Sequence, residues 1–285
     1  MYHILIAGAG YVGSRIADYF CLKNQKVWAI IRTVERQKNL EKIGAVPIVT
    51  DLTDFKNIPQ IPPVNFVVIS YAPLERDEAS YRKMYIEGTQ NLLRKLKEIA
   101  PPQLIVYLSS TGVYPDLKGN WVDETTVPNP DTERGKILLE AEKLVLNSGF
   151  PSVIFRLSGI YGPGRNRIQT AKQGELVIDE PYKYINMIHV DDIVSAIPLL
   201  FKSAEPGKVY LGVDDDPVTQ SEFFDWLSEK LNISIASIPV SNATCGKRLK
   251  NKSLKSLGFS FYYPTFREGY SALLNESDLW YNPLT

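Results

Sequence analysis

Gly8, Gly10 and Gly13, in the stretch GAGYVG, have the spacing of a turn that cradles phosphate. The first glycine permits a tight turn, the second lets the backbone approach a pyrophosphate, and the third lets a helix pack closely on a strand. An apolar run, YHILIA, precedes the turn, and an amphipathic stretch from about Val12 to Lys23 follows it. A helix opening there offers free N–H groups and the positive end of its dipole to the phosphates. Tyr11 and Val12 lie between the last two glycines and border the same site. The competing reading is a merely structural turn.

Which dinucleotide fits is decided at the end of the next strand, KVWAII. An acidic residue there binds a ribose 2′-hydroxyl. This chain instead has Arg32, with Arg36 one turn later and Glu35 as the only acid nearby. Two guanidiniums suit a 2′-phosphate, because arginine makes bidentate, charge-assisted bonds to phosphate oxygens. NADP is therefore the expected cofactor, with NAD as the alternative; the plain alternative for the arginines is a solvated surface. Asp51 and Leu52, after the third strand, are expected near the adenine, although Asp51 serves equally well as a loop or cap residue. Ser70, Tyr71 and Ala72 end the fourth strand and complete the expected cofactor set.

Positioning these residues calls for a sheet. YHILIAGAG, KVWAII, VPIVTDL, NFVVIS, QLIVYLSS and PSVIFRLSGIYG are apolar, β-rich runs separated by helical patterns. Strands buried on both faces and alternating with helices predict an α/β chain with a Rossmann-type doubly wound parallel sheet. A long helix is expected from about Glu78 to Ile99, and another from Asp131 or Thr132, both good N-cap types. The remaining third carries short strands (YKYINMIHVDD, KVYLGVDD), a helix from Gln220 to Leu231, and a tail rich in Lys, Ser, Tyr and Pro. We read residues 1–161 as the dinucleotide-binding domain, with returns near 189–213. Residues 162–285 form most of a smaller C-terminal substrate lobe.

Basic and acidic residues number 32 each among 285, so no charge excess points to nucleic acid or a membrane surface. Cys21 and Cys245 form no CxxC and no metal-like spacing, and no His/Cys/carboxylate cluster suggests a metal. A reduced, cytoplasmic setting is expected. The opening MYHILIAGAG is too short and glycine-rich to read as a signal peptide or a membrane span.

The chain resembles the extended short-chain dehydrogenase/reductase superfamily of nucleotide-sugar epimerases and dehydratases over most of its length. The resemblance rests on DLTD after the third strand, EGTQNLL in the long helix, YLSSTGVYP, FRLSGIYGPGR and NMIHVDDI. It is most similar to an atypical branch of NAD(P)-dependent epimerase/dehydratase-like proteins that carries RG where others carry YG. In catalytic members a Ser or Thr ends the fifth strand, and Tyr-x-x-x-Lys follows in the next helix. The tyrosine exchanges a proton while hydride moves to or from nicotinamide. A phenol has an ordinary pKa of about 10, and the lysine ammonium lowers it.

That resemblance implies Ser110 at the Ser/Thr position, but it puts Arg134 at the tyrosine and Leu138 at the lysine. Lys136 is two residues out of register, turned about 160° away on a helix. Tyr85, where the superfamily commonly has an active-site asparagine, is the candidate substitute acid or base; its alternative is a core tyrosine. Tyr114 and Tyr161 are implied near the substrate, with the same alternative. Arg134 and Arg165 are candidates for a substrate carboxylate or phosphate, with surface positions as the alternative. His189 reads as structural, before Asp191 and Asp192 as N-cap and first-turn acids of a helix.

The sequence is compatible with two functions. One is an NADP-binding oxidoreductase of epimerase/dehydratase type, acting on a nucleotide-sugar or similar small hydroxylated or carbonyl substrate with non-standard acid/base residues. The other is a catalytically inactive NAD(P)-binding regulatory or scaffold protein. The resemblance also implies a homodimer through the long helix and the helix after Asp131; Met84, Leu92, Leu96 and Ile99 either supply its apolar surface or face the sheet.

Overall fold

Seven parallel strands form the central sheet of the protein, whose computed structural model describes residues 1–73, 75 and 77–275. They are β1 (His3–Ala7), β2 (Lys26–Ile31), β3 (Val46–Val49), β4 (Phe66–Ile69), β5 (Leu104–Ser110), β6 (Ser152–Leu157) and β7 (Val209–Gly212). Their order is β7-β6-β5-β4-β1-β2-β3. The chain winds outward from β1 in one direction, then returns to add β4 on its other side. The C-terminal ends of β1 and β4 thus flank the switch point, where open α/β sheets bind ligands.

Alternation along the strands explains the two faces. Ile4, Ile6, Val27, Ala29, Val68 and Val106 pack on one side against α1 (Tyr11–Leu22) and α7 (Val190–Ser203). Leu5, Ile30, Val67, Ile69, Ile105 and Tyr107 pack on the other against α4 (Thr89–Leu96) and α5 (Glu133–Leu146). The remaining helices are α2 (Gln37–Lys42), α3 (Glu78–Arg82), α6 (Ile168–Lys172), α8 (Gln220–Leu231), α9 (Lys252–Ser256) and α10 (Phe266–Asn275).

Two features refine the sequence expectation. The run KVYLGVDD begins within the stretch 189–213 expected to return to the large domain, and its first residues form β7, parallel to β6, which gives the sheet its seventh strand. The long helix is not uniform, because a π-helical turn at Lys83–Gly88 separates α3 from α4.

The small lobe has its own core, where Tyr161, Met187, Phe223, Leu227, Phe266 and Tyr270 meet. Short strands frame it, with Gly159–Tyr161 beside Met187–His189 and Lys183–Ile185 between Val218–Thr219 and Cys245–Gly246. Met84, Leu92 and Leu96 are buried against the sheet of their own chain, so they supply no surface for a second copy.

Candidate functional site

Gly8 opens the turn after β1 at φ +101°, a left-handed conformation that favours glycine. A Cβ there would lie 2.5 Å from Tyr71 Cα, and one at Gly13 would lie 2.1 Å from the Gly8 carbonyl oxygen. Ser70 locks the turn by donating its Oγ–H to that oxygen at 2.8 Å. At Gly10 the opposite holds: a Cβ would meet nothing within 4 Å. Gly10 is also the N-cap of α1 and offers no side-chain cap to the first N–H groups. A diphosphate fits this cradle.

Arg32 and Arg36 both lean toward the turn. Arg32 Nη2 donates to the Ala72 carbonyl at 3.3 Å, and Arg36 Nη1 to the Ala9 carbonyl at 3.5 Å. Ala72 is exposed at this rim, whereas Tyr71 is buried, with its hydroxyl bonded to Thr89 Oγ1. Val12 and Leu52 are buried beside the crevice. Asp51 is exposed and accepts bonds from Thr53 N and Oγ1 at 2.9 and 2.8 Å, an Asx-type turn.

Ser110 ends β5 opposite Leu157, the last residue of β6. Its Oγ accepts from Gly112 N at 3.1 Å, capping the short turn Thr111–Val113. Ser158, one residue beyond Leu157, has a buried Oγ with no partner among the described residues. The sequence reading missed this donor and acceptor on the crevice side of the sheet.

Below Ser110 lies a buried network, also missed. Ser109 Oγ donates to Glu142 Oε1 at 2.6 Å, and Arg156 grips both Glu142 oxygens at 3.0 and 2.7 Å. Arg156 Nη1 continues to the Tyr114 hydroxyl at 2.6 Å. A lone acid in the apolar stripe of α5 and a lone arginine in a strand buried on both faces were its signal.

The N-cap of α5 is Thr132, whose Oγ1 accepts from Gly135 N at 3.1 Å, with Asp131 outside the cap. A Cβ on Gly135 would come within 2.7 Å of the Gly112 carbonyl oxygen, so α5 packs tightly on the turn after Ser110. Arg134 is exposed, with its guanidinium 5.5 Å from the centre of the Tyr81 ring. Leu138 is buried among Val113, Tyr114, Val122 and Tyr85. Lys136 points to solvent and pairs with Glu133 at 2.5 Å. Tyr85 lies on the π-helical turn, 5.3 Å from Tyr81 and 6.4 Å from Tyr71 between ring centres. It touches both the helix-side core and the cluster around Leu138. Burial, and then neighbouring Tyr81, raise its phenol well above the ordinary value.

Several expectations need correction. Tyr114 is 2% exposed and held by Arg156, so it is a post beneath the site and not a cleft wall. Tyr161 is 3% exposed, stacked on Tyr270 at 4.9 Å, with its hydroxyl against Gly269. The Tyr11 hydroxyl donates to the Pro163 carbonyl at 3.0 Å, away from the cradle its backbone borders. Arg165 lies over the Tyr11 ring. His189 is itself the N-cap of α7, its Nδ1 accepting from Asp191 N at 3.2 Å, while Asp191 and Asp192 lie in the first turn. Burial, with Arg15 nearby, lowers its pKa to about 4. Burial raises Asp192 to about 7, and its carboxylate accepts from Tyr262 N and Tyr263 N.

A glycine turn at the switch point of a parallel sheet, with a small lobe beyond the strand ends, defines a dinucleotide-binding α/β protein. The chain belongs to the NAD dependent epimerase/dehydratase family, whose model matches residues 4–211. Protein YeeZ of Escherichia coli K12 is 30% identical over 190 residues, 64% of this chain and 66% of that protein, so the match spans just under two thirds of its length. A solved structure from Methylobacillus flagellatus, assigned to the NAD-dependent epimerases/dehydratases, is 30% identical, with TM-score 0.79, covering 97% of this chain and 98% of that one. At 16% identity, dTDP-glucose 4,6-dehydratase from Streptomyces venezuelae, solved with NAD and TYD bound, shares the fold. Its TM-score is 0.82 over 99% of this chain and 100% of that one. The family supports a nicotinamide dinucleotide as the cofactor. Among the described residues no group of His, Cys, Asp or Glu forms a metal site, and no helix is long and apolar enough to cross a membrane.

Proposed function

We propose that this protein is an NADP(H)-dependent oxidoreductase of epimerase/dehydratase type that acts on a small carbonyl or hydroxylated substrate of the nucleotide-sugar kind, with Tyr85 as its proton donor. The observation that carries this reading is the position of Tyr85 on a π-helical turn, beside the Leu138 that stands at the usual lysine. Such turns are rare and recur at functional sites.

The glycine turn, the start of α1, Arg32 and Arg36 hold the dinucleotide, and Ser110 and Ser158 border the reacting end. The nicotinamide supplies or accepts hydride. Tyr85 has no ammonium group to lower its pKa, and burial raises it. It therefore stays protonated near neutrality and is a poor base. A developing alkoxide is more basic than a phenolate, so the phenol can protonate a carbonyl oxygen as hydride arrives. Reduction is favoured over alcohol oxidation for this reason. Arg134 supplies a permanent positive charge for an anionic part of the substrate.

Purified protein incubated with NADPH and a panel of nucleotide sugars and small carbonyl compounds should oxidise the cofactor with at least one of them. Tight NADP(H) binding with no change in nicotinamide oxidation state across the panel shifts the reading to a non-catalytic binding protein. Apolar Leu138 and outward-facing Lys136 favour that second reading.

A further inference from the structure

Arg165 stands close to the phosphate turn, although it belongs to the loop that leads into the small lobe. Gly162 and Arg165 exchange backbone bonds, N to O, at 2.9 and 3.0 Å, which folds Pro163 and Gly164 into a tight reversal. The reversal is bolted to α1. Tyr11 donates its hydroxyl to the Pro163 carbonyl at 3.0 Å, and Arg15 Nη2 reaches the same oxygen at 3.4 Å. Gly162 has φ +150°, and a Cβ on it would lie 2.9 Å from Tyr11 Oη and 2.7 Å from Val190 Cγ1. Only glycine lets the loop come this close.

Two guanidiniums stand against the Tyr11 ring. Arg15 is 4.1 Å from the ring centre and is engaged with the Tyr11 and Pro163 carbonyls. Arg165 is 5.5 Å from it and exposed, and its guanidinium has no acidic partner and no hydrogen bond among the described residues. Arg36 reaches the Ala9 carbonyl. The open position at Gly10 is thus flanked in sequence by two residues that each contact a guanidinium, Ala9 through its carbonyl and Tyr11 through its ring.

We propose that Arg165 is a cofactor residue: its guanidinium binds the dinucleotide pyrophosphate across from the glycine turn, and Tyr11 is the positioning residue that holds the loop carrying it. This inference rests on the dinucleotide reading above and replaces the expected substrate role of Arg165. A helix terminus offers a pyrophosphate roughly half a positive charge. A guanidinium adds a full charge in a planar fork that matches phosphate oxygens. The small lobe thereby contributes to cofactor affinity through the loop at its entrance.

The test uses calorimetry on the full-length protein without substrate, with NADPH, NADH, ADP-ribose and 2′-AMP as ligands. Arg165→Ala should weaken NADPH, NADH and ADP-ribose about tenfold, the size of a lost charge-assisted contact, and leave 2′-AMP unchanged. Arg165→Lys should recover part of the loss. Tyr11→Phe should weaken ADP-ribose by a smaller factor, and adding it to Arg165→Ala should cost little more, because both act through one loop. ADP-ribose binding by Arg165→Ala equal to wild type overturns the proposal. Equal losses for 2′-AMP and ADP-ribose overturn it too, since 2′-AMP has no pyrophosphate. Wild-type protein that binds none of the four ligands overturns the dinucleotide reading itself, a result distinct from a failure confined to Arg165.

Discussion

Arg156 and Glu142 meet between β6 and α5 as a two-point ion pair, with side chains 5% and 2% exposed. Glu142 lies one helical turn beyond Leu138 and two beyond Arg134, so the pair fixes the register of the α5 face turned toward the site. Removing one partner leaves the other charge buried and unpaired. Glu142→Ala should lower the free energy of unfolding by about 3–5 kcal/mol. Replacing both residues by Met should recover most of that loss, because no unpaired charge remains. Urea denaturation measures both variants; a double variant no more stable than the single one refutes the account.

Arg32 and Arg36 set the expected cofactor preference. NADPH should bind more tightly than NADH, because only NADPH carries the 2′-phosphate these guanidiniums can pair. Arg32→Ala should weaken NADPH about tenfold, as expected for a lost bond to a charged group, and change NADH little. Arg32→Asp should reverse the preference, since a carboxylate repels the phosphate and accepts from a ribose hydroxyl. Calorimetry that finds NADH bound as tightly as NADPH by the wild type removes the NADP assignment.

Tyr85 and Arg134 should separate kinetically. Tyr85→Phe removes the proton and should reduce turnover about 10²–10⁴-fold, with cofactor affinity nearly unchanged. Arg134→Ala should raise KM with a smaller effect on kcat, as expected for lost uniform binding. Steady-state kinetics on a substrate found in the panel provides the check. Full activity in Tyr85→Phe moves the proton donor elsewhere.

Asp214 should make stability fall with rising pH. Its Oδ1 accepts from Asp216 N, and Oδ2 is buried with no partner among the described residues. Burial first, and then Asp216, Asp215 and Asp192, raise its pKa in the folded protein. An unfolded aspartate releases its proton near pH ~4, while the folded protein keeps it. Stability is therefore lost as pH rises above that value toward the folded pKa. Asn mimics the neutral acid and does not titrate. Asp214→Asn should match the wild-type Tm near pH 4 and exceed it at pH 8. A Tm difference that stays constant between those pH values contradicts the assignment.

The fold was legible because each strand is an unbroken apolar run and the glycine turn stands at the one place where a dinucleotide turn belongs. The partner of KVYLG was not legible, although its return to the large domain was expected. A short edge strand reads alike in a lobe or in a sheet, and only its pairing with β6 decides which. The π-helical turn under Tyr85 was illegible too, because one extra residue per turn barely changes an amphipathic pattern. Among the site residues, the positions of the glycines and of Arg32 follow from local register. Tyr114, Tyr161 and Arg165 do not, because a tyrosine or arginine after a strand can turn to core, cleft or neighbouring loop at similar local cost.

By itself the sequence determined the parallel sheet and the glycine turn that follows its first strand. These depend on residue type and on spacing within one or two elements. The tertiary structure decided the rest. It buried Tyr114 on Arg156, closed Tyr161 against Gly269, made His189 the cap of α7, and brought Arg165 over Tyr11. Each is a contact between residues far apart in the chain, except the His189 cap, which turns on a side-chain rotation. Long-range packing and side-chain direction select such contacts, and neither is written in local periodicity.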